Sequence, residues 1–118
     1  NPQCFDTLVK NIKDYLSDRK VICLTGVLAD KDWQQMMKVL CSFATDFITV
    51  TPDSPRALTN VQLADWLQEA GYHARAAESV VEGVNMALAR AKEIDGVVVA
   101  CGSLYMASEV REYFGRNV

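Results

Sequence analysis

The sequence has little of several things, and each shortage excludes a class of function. It has no basic excess: 12 lysines and arginines against 15 acidic residues give a net charge of −3. Nucleic-acid binders normally carry a basic patch or stripe, so no nucleic-acid partner is expected. There is one histidine, His73, and four cysteines, Cys4, Cys23, Cys41 and Cys101, none of them in a C-x-x-C pair. A zinc site therefore lacks its usual ligand spacing. Only three residues are proline, which argues against a disordered tract. No apolar run approaches the ~20 residues that span a bilayer, and no leader pattern opens the chain, so no membrane partner is expected. Neither G-x-x-x-x-G-K-[ST] nor G-x-G-x-x-G occurs.

What is present suits one globular domain. The 118 residues are half hydrophobic. A chain of this length buries roughly two-thirds of its unfolded surface and needs no staples. Each cysteine lies within an apolar pattern, as expected for reduced, buried thiols in a cytoplasmic protein.

Periodicity predicts alternating helices and strands. Cys4, Phe5, Leu8, Val9, Ile12, Tyr15 and Leu16 recur at helical spacing, with Asn1 and Pro2 suited to the helix start. Residues 21–25 (VICLT) read as a buried strand. Residues 33–41 read as a helix with Trp33, Met36, Met37, Leu40 and Cys41 on one face, and Asp30 and Asp32 lie at its N-terminal end, where the helix dipole favours negative charge. A second strand is predicted over 47–51 (FITVT). Thr59 and Gln62 form a capping-box pattern ahead of Leu63, Leu67 and Ala70, and Gly71 is a terminator. A short strand is expected over 73–76. Ser79 and Glu82 repeat the capping-box pattern before Val80, Val84, Ala87, Leu88 and Ala91. Residues 96–101 (GVVVAC) read as the clearest strand, turned by Gly102 and Ser103 into a last helix with Ala107, Val110 and Phe114.

Continuously apolar strands alternating with helices predict an α/β fold, a Rossmann-like three-layer domain with a mostly parallel sheet and helices on both faces. The first element is a helix capped by residue 1, where a strand would normally precede it. That suggests a single domain over 1–118, truncated at its N-terminal strand from a longer parent.

In such a sheet ligands bind beyond the carboxyl ends of the strands. Three loops occupy those positions: 26–32 (GVLADKD), 51–58 (TPDSPRAL) and 102–105 (GSLY). In the third, free backbone N–H groups and the Ser103 hydroxyl at a helix start suit an anion, though Ser103 also suits a simple cap, and both roles are compatible. In the second, Arg56 suits bidentate capture of a carboxylate, or else a surface pair with Asp53. In the first, Lys31 between two aspartates reads as a solvated charge cluster. His73 has no acidic or nucleophilic partner nearby in sequence and reads as structural or exposed.

Taken together and in order, these loops resemble the C-terminal domain of the Mur ligase superfamily, and within it the folylpolyglutamate synthases and their bifunctional dihydrofolate synthase relatives. The marks are Asn1 and Pro2, LADKD at 28–32, TPDSPRAL at 51–58, and GSLY at 102–105 with Glu109, Val110 and Arg111 behind it. The resemblance implies a ligase chemistry in which ATP phosphorylates a carboxylate and the glutamate amine attacks it, this domain helping to bind the incoming glutamate and to close over the ATP. It implies an N-terminal P-loop ATPase domain in the same chain as partner, with glutamate and folate as substrates. ATP and Mg2+ would serve the parent, with none bound by this domain alone, and no catalytic residue would lie in it. Asn1 resembles the end of the family's Asp-x-Ala-His-Asn-Pro segment on the nucleotide side. Ser103 and the backbone of Leu104 match the family position that holds the glutamate carboxylate. Ser54 and Arg56, in SPR, resemble the Asn-Pro-Arg step by which the diaminopimelate-adding relatives read their amino acid. Lys31 falls where relatives place a substrate-contacting lysine, with Asp30 and Asp32 on the nucleotide side or orienting the loop. Two other readings remain open: the same domain of a cell-wall Mur ligase, and a stand-alone flavodoxin-like binding module.

Overall fold

The structure, a computed structural model, describes residues 18–102 together with Lys10 and Asp14. The predicted helices over 4–16 and around Ala107, Val110 and Phe114 lie, but for Lys10 and Asp14, outside the described residues, as does Cys4. Within the described residues the elements run β1 (Val21–Gly26), α1 (Trp33–Cys41), β2 (Asp46–Thr49), α2 (Asn60–Glu69), β3 (His73–Ala76), α3 (Val80–Ile94) and β4 (Val97–Gly102). The four strands form one sheet in the order β3-β2-β1-β4, and every pairing is parallel. The fold is α/β, as the alternation of elements predicts.

Strand position explains burial. The two inner strands, β1 and β2, are buried at every residue. Side chains alternate across a strand, so they feed two cores. Val21, Cys23 and Phe47 face Met37 and Leu40 of α1 and Leu63, Ala64 and Leu67 of α2. Ile22, Leu24, Ile48 and Val50 face Val80, Val84 and Ala87 of α3. Helices therefore cover both faces. The outer strands differ: β3 exposes His73 and Arg75 and buries Ala74. β4, which the sequence marks as the clearest strand, is only half buried, because β1 is its one neighbour in the described sheet.

Local chemistry sets the helix ends. At α2 the Thr59 hydroxyl accepts the Gln62 N–H at 3.1 Å, and the Gln62 carbonyl accepts the Thr59 N–H at 3.1 Å. The Gln62 acceptor is its side-chain amide oxygen, Oε1, and this reciprocal box contributes about 1 kcal/mol. At α3 the Ser79 hydroxyl accepts the Glu82 N–H at 3.1 Å. Asp32 stands at the N-cap of α1 without a side-chain cap bond. Several details depart from the pattern reading: β2, expected over 47–51, spans Asp46–Thr49, and β4, expected over 96–101, spans Val97–Gly102. β2 begins one residue early, at Asp46, because Arg90 of α3 holds that carboxylate inside the fold. Leu88 points outward, 45% exposed, because α3 turns its Val80–Val84–Ala87 stripe to the sheet and Leu88 falls beside it.

Candidate functional site

The sheet order brings the first two loops together. They leave the carboxyl ends of the adjacent strands β1 and β2, and an isolated antiparallel bridge pairs Leu28 with Ala57. The Ala29 N–H donates to the Arg56 carbonyl at 2.7 Å, and the Leu58 N–H donates to the Val27 carbonyl at 3.0 Å. The loops are thus zipped backbone to backbone. Their bases are also close: a Cβ on Gly26 would lie 2.7 Å from the Val50 carbonyl and 3.0 Å from the Pro52 ring. Only glycine lets the strand end approach so near.

Within the second loop Ser54 shapes the turn. Its hydroxyl accepts the Arg56 N–H at 3.2 Å, and its carbonyl accepts the Ala57 N–H at 3.1 Å. The far end of the loop is fastened to α2, where the Thr51 hydroxyl accepts the Asn60 N–H at 2.8 Å.

The decisive side chain is Arg56. Its Nη1 donates to Asp30 Oδ2 at 3.0 Å, with both side chains about half exposed, 52% and 48%. The expected alternative, a pair with Asp53, is not what forms; the bridge between loops sets Arg56 opposite Asp30 instead. Asp30 is therefore not part of a local cluster with Lys31. Lys31 is exposed and makes no ion pair among the described residues, and Asp32 is exposed at the helix start. Among the described residues one guanidinium nitrogen is engaged, and the half-exposed side chain leaves the rest of the fork for a second carboxylate.

The third loop begins at the same end of the sheet. Gly102 is the register partner of Gly26, with φ +144, and an added Cβ would collide with the Gly26 carbonyl. Ser103, Leu104 and Asn1 lie outside the described residues.

Beneath the loops lie polar groups that sequence reading missed. Thr25 is fully buried at the end of β1, and its hydroxyl has no hydrogen-bond partner among the described residues. Cys23 and Cys101 bring their sulfurs to 3.3 Å across β1 and β4, and both are free thiols. The bond to Cys101, reinforced by burial, pushes the Cys23 thiol well above the ordinary thiol range. Cys41 is also raised, by burial, against a smaller opposing bond to Tyr72. Cys23 is the buried hydrophobe expected, whereas Cys41 and Cys101 are half buried. No local signal pairs residues 78 positions apart.

Comparison with known proteins agrees with this arrangement of strands and loops. Residues 1–104 match the family described as Mur ligase, glutamate ligase domain. The chain belongs to that family. It is 32% identical over 115 residues to the folylpolyglutamate synthase of Lacticaseibacillus casei, covering 95% of this chain and 24% of that protein. It is 30% identical over 112 residues to the dihydrofolate synthase/folylpolyglutamate synthase of Escherichia coli K12, covering 95% of this chain and 25% of that protein. The chain thus spans about a quarter of the length of these relatives. Among solved structures, the Mycobacterium tuberculosis folylpolyglutamate synthase complexed with ADP superposes with a TM-score of 0.83 at 26% identity, over 98% of this chain and 28% of that one. The Escherichia coli FolC in complex with DHPP and ADP superposes with a TM-score of 0.86 at 26% identity, over 99% of this chain and 27% of that one.

Proposed function

We propose that this glutamate ligase domain is the C-terminal domain of an ATP-dependent folylpolyglutamate synthase, and that its zipped loops receive the incoming glutamate. The observation that carries the reading is Arg56. It sits beyond the carboxyl ends of the strands, half exposed, with one nitrogen held by Asp30 and no other side-chain partner among the described residues. A guanidinium so placed takes a substrate carboxylate bidentately. Asp30 orients it, and Ser54 fixes the turn that presents it. Ser103 and the Leu104 backbone, by their match to the family, complete the anion-binding surface, and Lys31 adds a free ammonium at its rim. Membership of the family and the folylpolyglutamate synthase relatives support the substrate assignment.

In this reading the parent uses ATP and Mg2+; the ADP bound to the Mycobacterium tuberculosis relative supports the nucleotide. The described residues contain no group of three or more metal-ligating side chains, and the chain contains no P-loop. The roles proposed for this domain are to hold and orient the amino acid and to help close over the ATP held by the N-terminal domain. The N-terminal P-loop domain of the same polypeptide is the proposed partner. The proposed place of work is the cytoplasm, as for a folate-modifying ligase; among the described residues no helix is long and apolar enough to cross a membrane.

Steady-state kinetics of the full-length protein test this. Arg56→Ala should raise the KM for glutamate about 10- to 100-fold, the loss expected for one charged hydrogen-bonded contact, with kcat and the KM for ATP little changed. Ser103→Ala should act in the same direction. A muramyl substrate should not replace the folate. The isolated 118-residue chain should neither hydrolyse ATP nor extend folate. Unchanged glutamate kinetics in both variants would overturn the site.

A further inference from the structure

The 51–58 loop is held unevenly. Its returning half is bonded to the first loop, from the Ala29 N–H to the Arg56 carbonyl at 2.7 Å and from the Leu58 N–H to the Val27 carbonyl at 3.0 Å. Its outgoing half, residues 51–55, has no backbone partner in the first loop among the described residues. The bonds there are internal. The Ser54 N–H donates to the Pro52 carbonyl at 2.8 Å, and Ser54 in turn accepts from the N–H groups of Arg56 and Ala57. The buried Pro52 ring lies beside Gly26, an apolar contact without direction. Among the described residues one hydrogen bond ties this half to anything outside the loop: the Thr51 hydroxyl accepts the Asn60 N–H at 2.8 Å.

Asn60 is a firm point to moor on. Its carbonyl accepts the hydroxyl of buried Thr49 at 2.8 Å, its Nδ2 donates to the Ala77 carbonyl at 2.8 Å, and its Oδ1 accepts the Val61 N–H at 2.9 Å. The Ala77 N–H donates to the Thr49 carbonyl at 2.8 Å. One residue thus joins β2, the start of α2 and the connection from β3 to α3. It also stands where the returning half of the loop enters α2, so the Thr51 bond closes the loop at its neck. The path from Asn60 to the Arg56 N–H runs through Thr51, the turn of residues 52–54 and the Ser54 hydroxyl.

We propose that Thr51 is a positioning residue for the glutamate site. It moors the turn that presents Arg56, so the guanidinium is in place before the amino acid arrives. The proposal rests on Arg56 receiving a glutamate carboxylate. A loop already ordered loses little freedom on binding, so preorganisation adds affinity without a new contact. Freed at its neck, the loop has to be ordered by the substrate. That cost falls equally on the bound substrate and the transition state, so it enters KM and not kcat.

Steady-state kinetics of the full-length protein test this. Thr51→Val keeps the shape of the side chain and removes the acceptor, at an exposed position where the Asn60 N–H can turn to water. It should raise the KM for glutamate about three- to tenfold, the worth of one hydrogen bond, with kcat and the KM for ATP unchanged. Thr51→Ser, which keeps the hydroxyl, should hold the glutamate KM near its natural value. In an Arg56→Ala background Thr51→Val should add nothing, because the group it places is gone. A merely structural role would lower kcat through loss of folded protein, and would do so in that background too. The proposal fails, and the Arg56 site stands, if Arg56→Ala raises the glutamate KM and Thr51→Val does not. It fails equally if Thr51→Ser behaves as Thr51→Val, or if the Thr51→Val effect persists undiminished beside Arg56→Ala. If Arg56→Ala itself leaves the glutamate KM unchanged, the site fails and the proposal with it.

Discussion

Arg56 and Asp30, 26 residues apart in sequence, meet at 3.0 Å because two loops pair by backbone hydrogen bonds, not because the ion pair draws them together. Both side chains are about half exposed, and solvent screens such pairs. The backbone zipper fixes the loops, and the side-chain pair aims a guanidinium. A double-mutant cycle of Asp30→Asn and Arg56→Gln, followed by urea unfolding, should give a coupling below about 1 kcal/mol. A much larger value would make the pair a structural tie rather than an adjustable one. In the full-length protein Asp30→Asn should raise the glutamate KM less than Arg56→Ala does, and Asp30→Glu should restore part of the loss.

The approach of the two loop bases makes Gly26 the position least tolerant of a side chain. Its added Cβ would meet a backbone carbonyl, that of Val50, at 2.7 Å, and a carbonyl in a strand connection cannot rotate away as a side chain does. Gly26→Ala should destabilise the fold by about 1–3 kcal/mol, the usual cost of overpacking, as read from the midpoint of chemical denaturation. No loss of stability would show that the strand ends are looser than the packing indicates.

Cys23 should give the protein an alkaline weakness. Its thiol is held neutral in the folded state, first by the bond to Cys101 and then by burial. In the unfolded chain a thiol ionises near about pH 8.5. Above that pH the unfolded state has lost protons that the folded state keeps, so stability falls as pH rises. The contribution is fully present below that range and drains away until the folded thiol itself ionises. Stability measured between about pH 7 and pH 10 should decline more steeply for the natural protein than for Cys23→Ala, whatever the absolute offset from the lost sulfur. Parallel profiles would contradict the assignment.

Patterns repeating within one element were legible in the sequence. The capping box at Thr59, the Ser79 cap, the apolar stripe of Met37 and Leu40, and the short β3 over His73–Ala76 are local, and each formed where the pattern placed it; of the box expected at Ser79 and Glu82 only the bond from the Glu82 N–H to the Ser79 hydroxyl formed. The loops at the carboxyl ends of the strands were legible too, since alternating apolar strands and helices imply a parallel sheet, and a parallel sheet gathers such loops at one end.

The succession of elements, their caps, the apolar faces and the inventory of loop residues follow from the chain alone, because each depends on neighbours a few positions away. The tertiary structure decided which loop residues meet. Arg56 chose Asp30 over the nearer Asp53 only once the Leu28–Ala57 bridge had formed. Cys23 found Cys101, and Asp46 was drawn inside by Arg90, across spans of 78 and 44 residues. Such partners are fixed by strand order and helix placement, which no short-range spacing encodes, and so these pairings became visible only in the fold.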